Sequence, residues 1–386
     1  MTLNTDTTPI RLGMVGGGSG AFIGGVHRMA ARLDGRYTLV AGALSSTPEK
    51  ARESGLALGL APDRTYDDFR RMAQREARLK DGIEAVAIVT PNHMHLPAAT
   101  EFLKRGIHVI CDKPLTGTLA EARRMRAAVE RGNALFVLTH NYSAYPLIRQ
   151  ARQMIAEGAL GRLRVVQVEY AQDWLTDSVE KAGSKQAEWR TDPERAGLGG
   201  ALGDIGTHAF HLASYVSGLA IERLAADLQS FGDGRALDDN AHVLLQYEGG
   251  ARGMLWCSQV APGHENGLRL RLFGDKGGLD WQQEQPNVLR YTRHGEATRL
   301  ITRNGAGSDA ASATASRVPA GHPEGYIEAF ANIYSDAAAL IRAAQGKGEK
   351  PDAVLPGIED GVEGVAFVDA CVRSARSNGA FVALRR

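Results

Sequence analysis

Residues Arg11–His27 read RLGMVGGGSGAFIGGVH, and the spacing of their glycines decides how the first third of the chain is understood. An apolar run, a glycine cluster and then an amphipathic pattern is the order strand, turn, helix. A dinucleotide-binding turn asks for G-x-G-x-x-G, in which glycine lets the backbone approach a pyrophosphate at a helix N-terminus. Gly16 and Gly18 fit the first two positions, but Ala21 stands at the third and the next glycine is Gly24. With a helix starting near Ile23, Gly24 becomes the helix-packing glycine and the loop is three residues longer than usual. Gly16 and Gly18 in the turn, with Phe22 and Ile23 at its end, are then candidates for binding the coenzyme. An ordinary glycine-rich turn is the other reading, and the alternating segments downstream weigh against it.

Outward from that stretch the pattern alternates. YTLVAGAL, AVAIVT, HVICDKP and ALFVLTH are apolar runs rich in strand formers, separated by helical patterns such as TLAEARRMRAAVERG. Strands apolar throughout, alternating with helices, predict a doubly wound parallel sheet covered on both faces, a Rossmann domain over residues 1–140. The second half reads differently. RLRVVQVEYAQDW, LAADLQSF, NAHVLLQY, ARGMLWCSQVA, LRLRLFG and GLDWQQ are longer, more alternating strands with few helices between them. They predict an α+β domain over 141–386, with a large open mixed or antiparallel sheet. RNGAGSDAASATASRVPAG (303–321) reads as a long loop, and two helices close the chain.

Bulk properties narrow the function classes. The 386 residues carry 45 Lys plus Arg against 44 Asp plus Glu, so no charge excess favours nucleic acid or an anionic membrane. Three scattered cysteines fit neither a disulfide framework nor a zinc site. MTLNTDTTPI lacks the apolar segment of a secretory leader, and no apolar run approaches the roughly 20 residues that span a bilayer. A cytoplasmic protein is expected.

The ends of the early strands carry the polar groups. NAD binding usually places a carboxylate after the second strand to hold the ribose hydroxyls. Here Ser45 and Ser46 stand there, with Lys50 and Arg52 beyond, which leans the coenzyme from NAD toward NADP. Thr90, Asn92 and His95 in TPNHMH, and Lys113 in CDKP, lie at strand ends along the same crevice edge. In GGALGDIGTHAFHL, Asp204 and His208 are spaced i,i+4 and share one helix face. Such a pair is either a structural hydrogen bond or an aspartate steadying a histidine that takes a hydroxyl proton. His211 adds a metal reading, disfavoured because no further ligands cluster there.

Taken together, G-x-x-H after the glycine turn, TPN-x-x-H, the DKP strand end and W-R-x-D-P…GG-x-L-x-D-x-G-x-H resemble the Gfo/Idh/MocA family of sugar and cyclitol dehydrogenases, from about Ile10 to the C-terminus. The resemblance implies NAD or NADP as coenzyme, no metal, and a carbohydrate or cyclitol substrate. It also implies a homodimer or homotetramer built on the open sheet, with the last helices packing back on the first domain. Lys113, Asp204 and His208 match the family's catalytic lysine, aspartate and histidine. His208 would take the hydroxyl proton as hydride passes to the nicotinamide, Lys113 would stabilise the developing alkoxide, and Asp204 would bind a neighbouring hydroxyl; whether Lys113 or His208 is the base stays open. Asn141 falls where relatives touch coenzyme, and Tyr142, Trp189 and Arg190 where they touch coenzyme or substrate; His322 in GHPEGY is a substrate-side candidate or part of a helix start. The family's glutamate before the lysine is here Asp112, one methylene shorter, which shifts its contact near the nicotinamide. Two other classes share these features: a glycoside hydrolase using NAD for transient oxidation and elimination, and a non-catalytic dinucleotide or sugar sensor.

Overall fold

The computed structural model describes residues 8–183, 187, 190–351 and 354–385. The chain divides into two compact units, each with its own sheet. The first takes the chain up to Thr116 together with Ala120–Thr139 and Phe330–Val362. Its strands are β1 (Ile10–Gly16), β2 (Tyr37–Ala43), β3 (Ala85–Val89), β4 (His108–Cys111) and β5 (Phe136–Leu138). They pair in the order β2-β1-β3-β4-β5, every pair parallel. All five residues of β3 are buried, as a central strand covered on both faces requires. Each larger aliphatic side chain there contributes about 1.5–3 kcal/mol by leaving water.

Helices α1 (Phe22–Leu33), α2 (Pro48–Ala57), α3 (Phe69–Glu76), α4 (His95–Leu103) and α5 (Leu119–Glu130) connect the strands. α1 buries Gly24, Val26, His27, Ala30 and Ala31, a stripe at helical spacing. Pro48 opens α2, where its missing N–H costs no hydrogen bond. α3 is an element the apolar pattern does not announce, since FRRMAQRE is mostly polar. Asp68 caps it by accepting from the amides of Arg70 and Arg71.

The second unit holds α6 (Pro146–Ala156), β6 (Leu163–Ala171), α7 (Thr207–Ser217), β7 (Ile221–Gln229), β8 (Asn240–Tyr247), β9 (Arg252–Ser258), β10 (Gly267–Gly274), β11 (Gly277–Gln282), β12 (Val288–Arg293), β13 (Arg299–Thr302) and β14 (Val382–Ala383). The sheet order is β13-β12-β11-β10-β6-β9-β8-β7-β14, and β6 with β9 is a parallel pair among antiparallel neighbours. Ala241, Val243, Leu245 and Tyr247 of β8 point into a core shared with α6 and α7, while Leu244 between them is 56% exposed. One face is covered and the other open, the arrangement that alternation predicts. β12 and β13 extend the sheet beyond the strands expected from sequence.

Helices α8 (Tyr326–Ala344) and α9 (Ile358–Ala375) close the chain. The stretch Phe330–Val362 belongs to the first unit, where Tyr334 packs edge-on against Tyr37. Residues 303–321 form a loop with one short helix, Ala310–Thr314, capped by Asp309. It is pinned from beneath. Buried Arg303 donates to the carbonyls of Val318 and Pro319 and pairs with buried Glu324 at 2.9 Å. Glu324 in turn accepts from the amides of Arg317 and Val318.

Candidate active site

In the first unit a cavity of about 870 Å³ opens at the carboxyl ends of β1, β2 and β3. Its floor is the glycine turn. Gly16 and Gly17 have φ of +79° and +72°, conformations that favour glycine. A Cβ on Gly24 would lie 2.4 Å from the Gly17 Cα, so these two glycines let α1 sit against the turn. The lengthened loop therefore keeps the packing contact expected of Gly24. Ala21 provides no side-chain cap to α1, which leaves the first amides of the helix for an anionic ligand.

Gly16, Gly18, Ser45, Ser46, Lys50 and Thr90 all line this cavity, in keeping with the sequence motifs. Glu53, Phe69 and Arg70 line it as well, and no motif points to them. Phe69 and Arg70 belong to α3, whose polar sequence hides it. The buried hydroxyl of Thr90 has no partner among the described residues. An unfilled buried hydroxyl and a glycine cradle that a Cβ would obstruct are features a dinucleotide fits.

The other first-unit candidates lie outside the residues that line this cavity. Phe22, the first residue of α1, is 70% exposed, and Ile23 behind it is half-buried. Asn92 is buried in the turn after β3. The ring of His95 is fully buried, its Nδ1 2.8 Å from the Pro114 carbonyl and its Nε2 2.9 Å from that of Thr90. It thus ties the turn after β3 to the segment carrying Lys113. Burial lowers its pKa against the pull of Asp112 and the two carbonyls. The Asp112 carboxylate accepts from Thr139 at 2.9 Å, and Lys113 is half-buried beside it.

The second unit builds its site from three sources. The first is GGALGD. Gly200 must be glycine, because a Cβ there would lie 2.1 Å from the Asp238 carbonyl oxygen. The Asp238 carboxylate accepts from the amides of Gly200 and Leu202, at 2.8 and 2.7 Å. Burial pushes its carboxyl up to about 6 against those bonds. Leu202–Gly206 is a π-helical turn running directly into α7, so Asp204 sits on the wide turn and His208 on the regular helix.

The second source is the pair of parallel strands. β6 and β9 end side by side, Ala171 opposite Ser258, and deliver Gln172 and Gln259 to one place. Gln259 donates to Asp204 at 3.0 Å, as does Arg190 at 3.2 Å. Gln172 accepts from Trp174 at 3.1 Å and donates to Asn266 at 2.9 Å. The third source is the turn after β5. Tyr142 and Tyr170 meet hydroxyl to hydroxyl at 2.6 Å, Tyr170 donates to Asn266 at 2.6 Å, and Asn266 donates back to Tyr142 at 3.3 Å. Burial pushes both phenols above the usual tyrosine range, so they remain neutral.

His208 lies among these rings, 4.8 Å from Tyr142 and 5.5 Å from His140. His140 stacks on His211 at 4.2 Å. The structure thus brings Tyr142 and His208 together and joins Asp204 to Arg190. Asn141 is buried with its side-chain nitrogen unpartnered among the described residues. His322 is exposed; its carbonyl accepts from Arg303. Trp189 lies outside the described residues. Gln172, Gln259, Asn266, Tyr170 and His140 escape a reading of the sequence, because each comes singly at a strand end or turn without a motif. Among the described residues no cluster of His, Cys, Asp or Glu is suited to a metal, and no helix is long and apolar enough to cross a membrane.

Known proteins resemble the chain along its whole length. A family model described as the oxidoreductase family, NAD-binding Rossmann fold, matches residues 10–140, and one described as the GFO/IDH/MocA C-terminal domain matches 148–280. A crystal structure of an oxidoreductase from Sinorhizobium meliloti is 59% identical, covering 97% of this chain and 99% of that one, with a TM-score of 0.89. An inositol dehydrogenase homologue from Azotobacter vinelandii, solved with NAD+, is 39% identical over 99% of this chain and 100% of its own, with a TM-score of 0.94. An inositol dehydrogenase homologue from the same organism, solved with NADH and myo-inositol, aligns at 38% identity over 98% of both chains, with a TM-score of 0.91. An uncharacterized oxidoreductase of Bacillus subtilis, YfiI, is 37% identical over 97% of this chain and 96% of its own. With a five-stranded parallel sheet, a mixed second sheet and matches to both family models, the chain belongs to the Gfo/Idh/MocA family of oxidoreductases.

Proposed function

We propose that this enzyme transfers hydride between a secondary hydroxyl, or the matching ketone, of a cyclitol or sugar and a nicotinamide coenzyme. The observation that carries the reading is the wall of amides and hydroxyls around Asp204. Gln172, Gln259 and Asn266 each offer donors and acceptors, which is what a ring of hydroxyls, each both donor and acceptor, demands. The A. vinelandii homologue solved with myo-inositol and NADH supports the same substrate class.

His208, held among neutral phenols, takes the proton from the reacting hydroxyl. Lys113 donates to that oxygen and stabilises the negative charge that builds there. Asp204, steadied by Gln259 and Arg190, accepts from a neighbouring hydroxyl and sets which carbon reacts. Gly16, Gly18, Ser45, Ser46, Lys50 and Thr90 hold the coenzyme, whose nicotinamide supplies the hydride acceptor or donor. We place NADP ahead of NAD on the serines that replace a carboxylate after β2 and on Lys50 and Arg70, although Glu53, Asp67 and Asp68 line the same cavity. The open face of the second sheet, where Leu244 is 56% and Met254 39% exposed, is our candidate for homodimer or homotetramer contact.

A panel of inositols, monosaccharides and anhydrosugars with NAD and with NADP, followed by absorbance of the reduced nicotinamide, tests the substrate class and the coenzyme. The expected result is turnover confined to neutral polyols, with a higher kcat/KM for NADP. Cleavage of a chromogenic glycoside without net formation of reduced coenzyme would replace this reading with the hydrolase.

A further inference from the structure

β4 ends at Cys111, and the next residue, Asp112, faces a line of groups that the proposed reaction does not use. Thr139 Oγ1 donates to Asp112 Oδ1 at 2.9 Å, and His27 Nε2 lies 3.7 Å from the same oxygen. His27, on α1, is fully buried, and its Nδ1 is 2.7 Å from the hydroxyl of Tyr334 on α8. Rings lock the line in place. Phe330 meets His27 edge-on at 4.8 Å, and Tyr334 does so at 5.8 Å. Tyr334 is anchored in turn by Tyr37, whose hydroxyl donates to the Tyr334 carbonyl at 3.0 Å.

The groups at each end bear on the ring between them. His27 Nε2 faces the carboxylate at 3.7 Å, within reach of its charge but beyond hydrogen-bond distance, and makes no hydrogen bond among the described residues. Burial pushes the Tyr334 phenol well above the usual range, so its hydroxyl stays protonated. Its hydroxyl lies 2.7 Å from Nδ1, a contact that fixes the orientation of the ring. Burial alone would raise the Asp112 carboxyl, but His27 first, then Lys113 and His95, outweigh it and hold it down at about 2. The result is a permanent, oriented anion next to Lys113.

We propose that Tyr334 and His27 are positioning residues that act through Asp112, holding its carboxylate and the backbone it shares with Lys113 so that the ammonium reaches the reacting oxygen in one pose. This rests on the role proposed for Lys113. A misplacement of reacting groups by an ångström costs rate more than affinity, so the signature is kinetic.

The test is a double-mutant cycle of Tyr334→Phe and Asp112→Asn in the full-length enzyme, with thermal melting, coenzyme titration and steady-state kinetics on the polyol that the panel identifies. Tyr334→Phe is expected to lower kcat about tenfold, with substrate KM and coenzyme Kd within about twofold of wild type. In the Asp112→Asn background it is expected to cost nothing further, because residues acting through one another are not additive. His27→Asn serves as second variant by the same criteria should Tyr334→Phe fold poorly. Unchanged kcat, multiplicative losses, or a loss confined to melting temperature and coenzyme affinity each overturn the proposal. An active Lys113→Ala enzyme would instead overturn the catalytic reading beneath it; an inactive Lys113→Ala beside a Tyr334→Phe of wild-type kcat overturns the relay alone.

Discussion

The two units make their binding surfaces in opposite ways. The first presents backbone: a glycine turn, the uncapped start of α1, and side chains such as Ser45 and Thr90 that directly follow parallel strands. The second presents side chains drawn from distant places, with Gln172, Asp204, Gln259 and Asn266 joined in one hydrogen-bonded network. In the proposed reading, a coenzyme common to many enzymes is met by main-chain geometry, which tolerates little change. In the same reading a particular substrate is met by side chains, which can be exchanged without rebuilding the sheet.

Substitutions can break that contrast. The largest expected effect belongs to His208→Asn, which removes the proposed proton acceptor and should lower kcat by about a thousandfold while coenzyme titration stays near wild type. Next is Gly24→Val in the first unit. With a Cβ at 2.4 Å from the Gly17 Cα, α1 must move or the unit must strain, at about 3 kcal/mol; melting temperature and coenzyme affinity fall together. An enzyme that kept both would show that the turn does not depend on this close approach.

Gln259→Leu sharpens the other side of the comparison. It takes one donor from Asp204 and costs about 1–3 kcal/mol, read mainly in substrate KM with coenzyme binding unaltered. The smallest expected effect concerns acid stability. Asp112 titrates at about 2 in the folded protein, below its unfolded value, so its contribution is complete above about pH 4 and disappears as pH falls toward 2. That contribution is about 2 kcal/mol, and Asp112→Asn should flatten the decline of melting temperature over this window.

Legibility divides along the same line. Gly16, Gly18 and Gly24 are readable because a turn, a helix start and a close approach are all settled within a short segment. The alternation that makes β1 to β5 is readable because fully buried strands alternate with amphipathic helices. α3 escapes notice because its cap, Asp68, fixes it more than any apolar stripe does. β12 and β13 are hidden because short, partly exposed strands such as VLRYTR and RLIT, at the end of the sheet, carry little hydrophobic signal. The i,i+4 spacing of Asp204 and His208 suggests a regular helix, yet Asp204 lies within a π-helical turn, and the bonds that tie it down include ones from Arg190 and Gln259.

By itself the sequence determined the parallel first sheet, the lengthened glycine turn and the family, since periodicity and short motifs are local properties of the chain. Only the tertiary structure decided that Gln172 and Gln259 stand together, that Tyr142 and Tyr170 enclose His208, and that Tyr334 reaches His27. Those meetings depend on strand register and helix packing between residues far apart in the chain, and register is an outcome of folding that no single segment encodes.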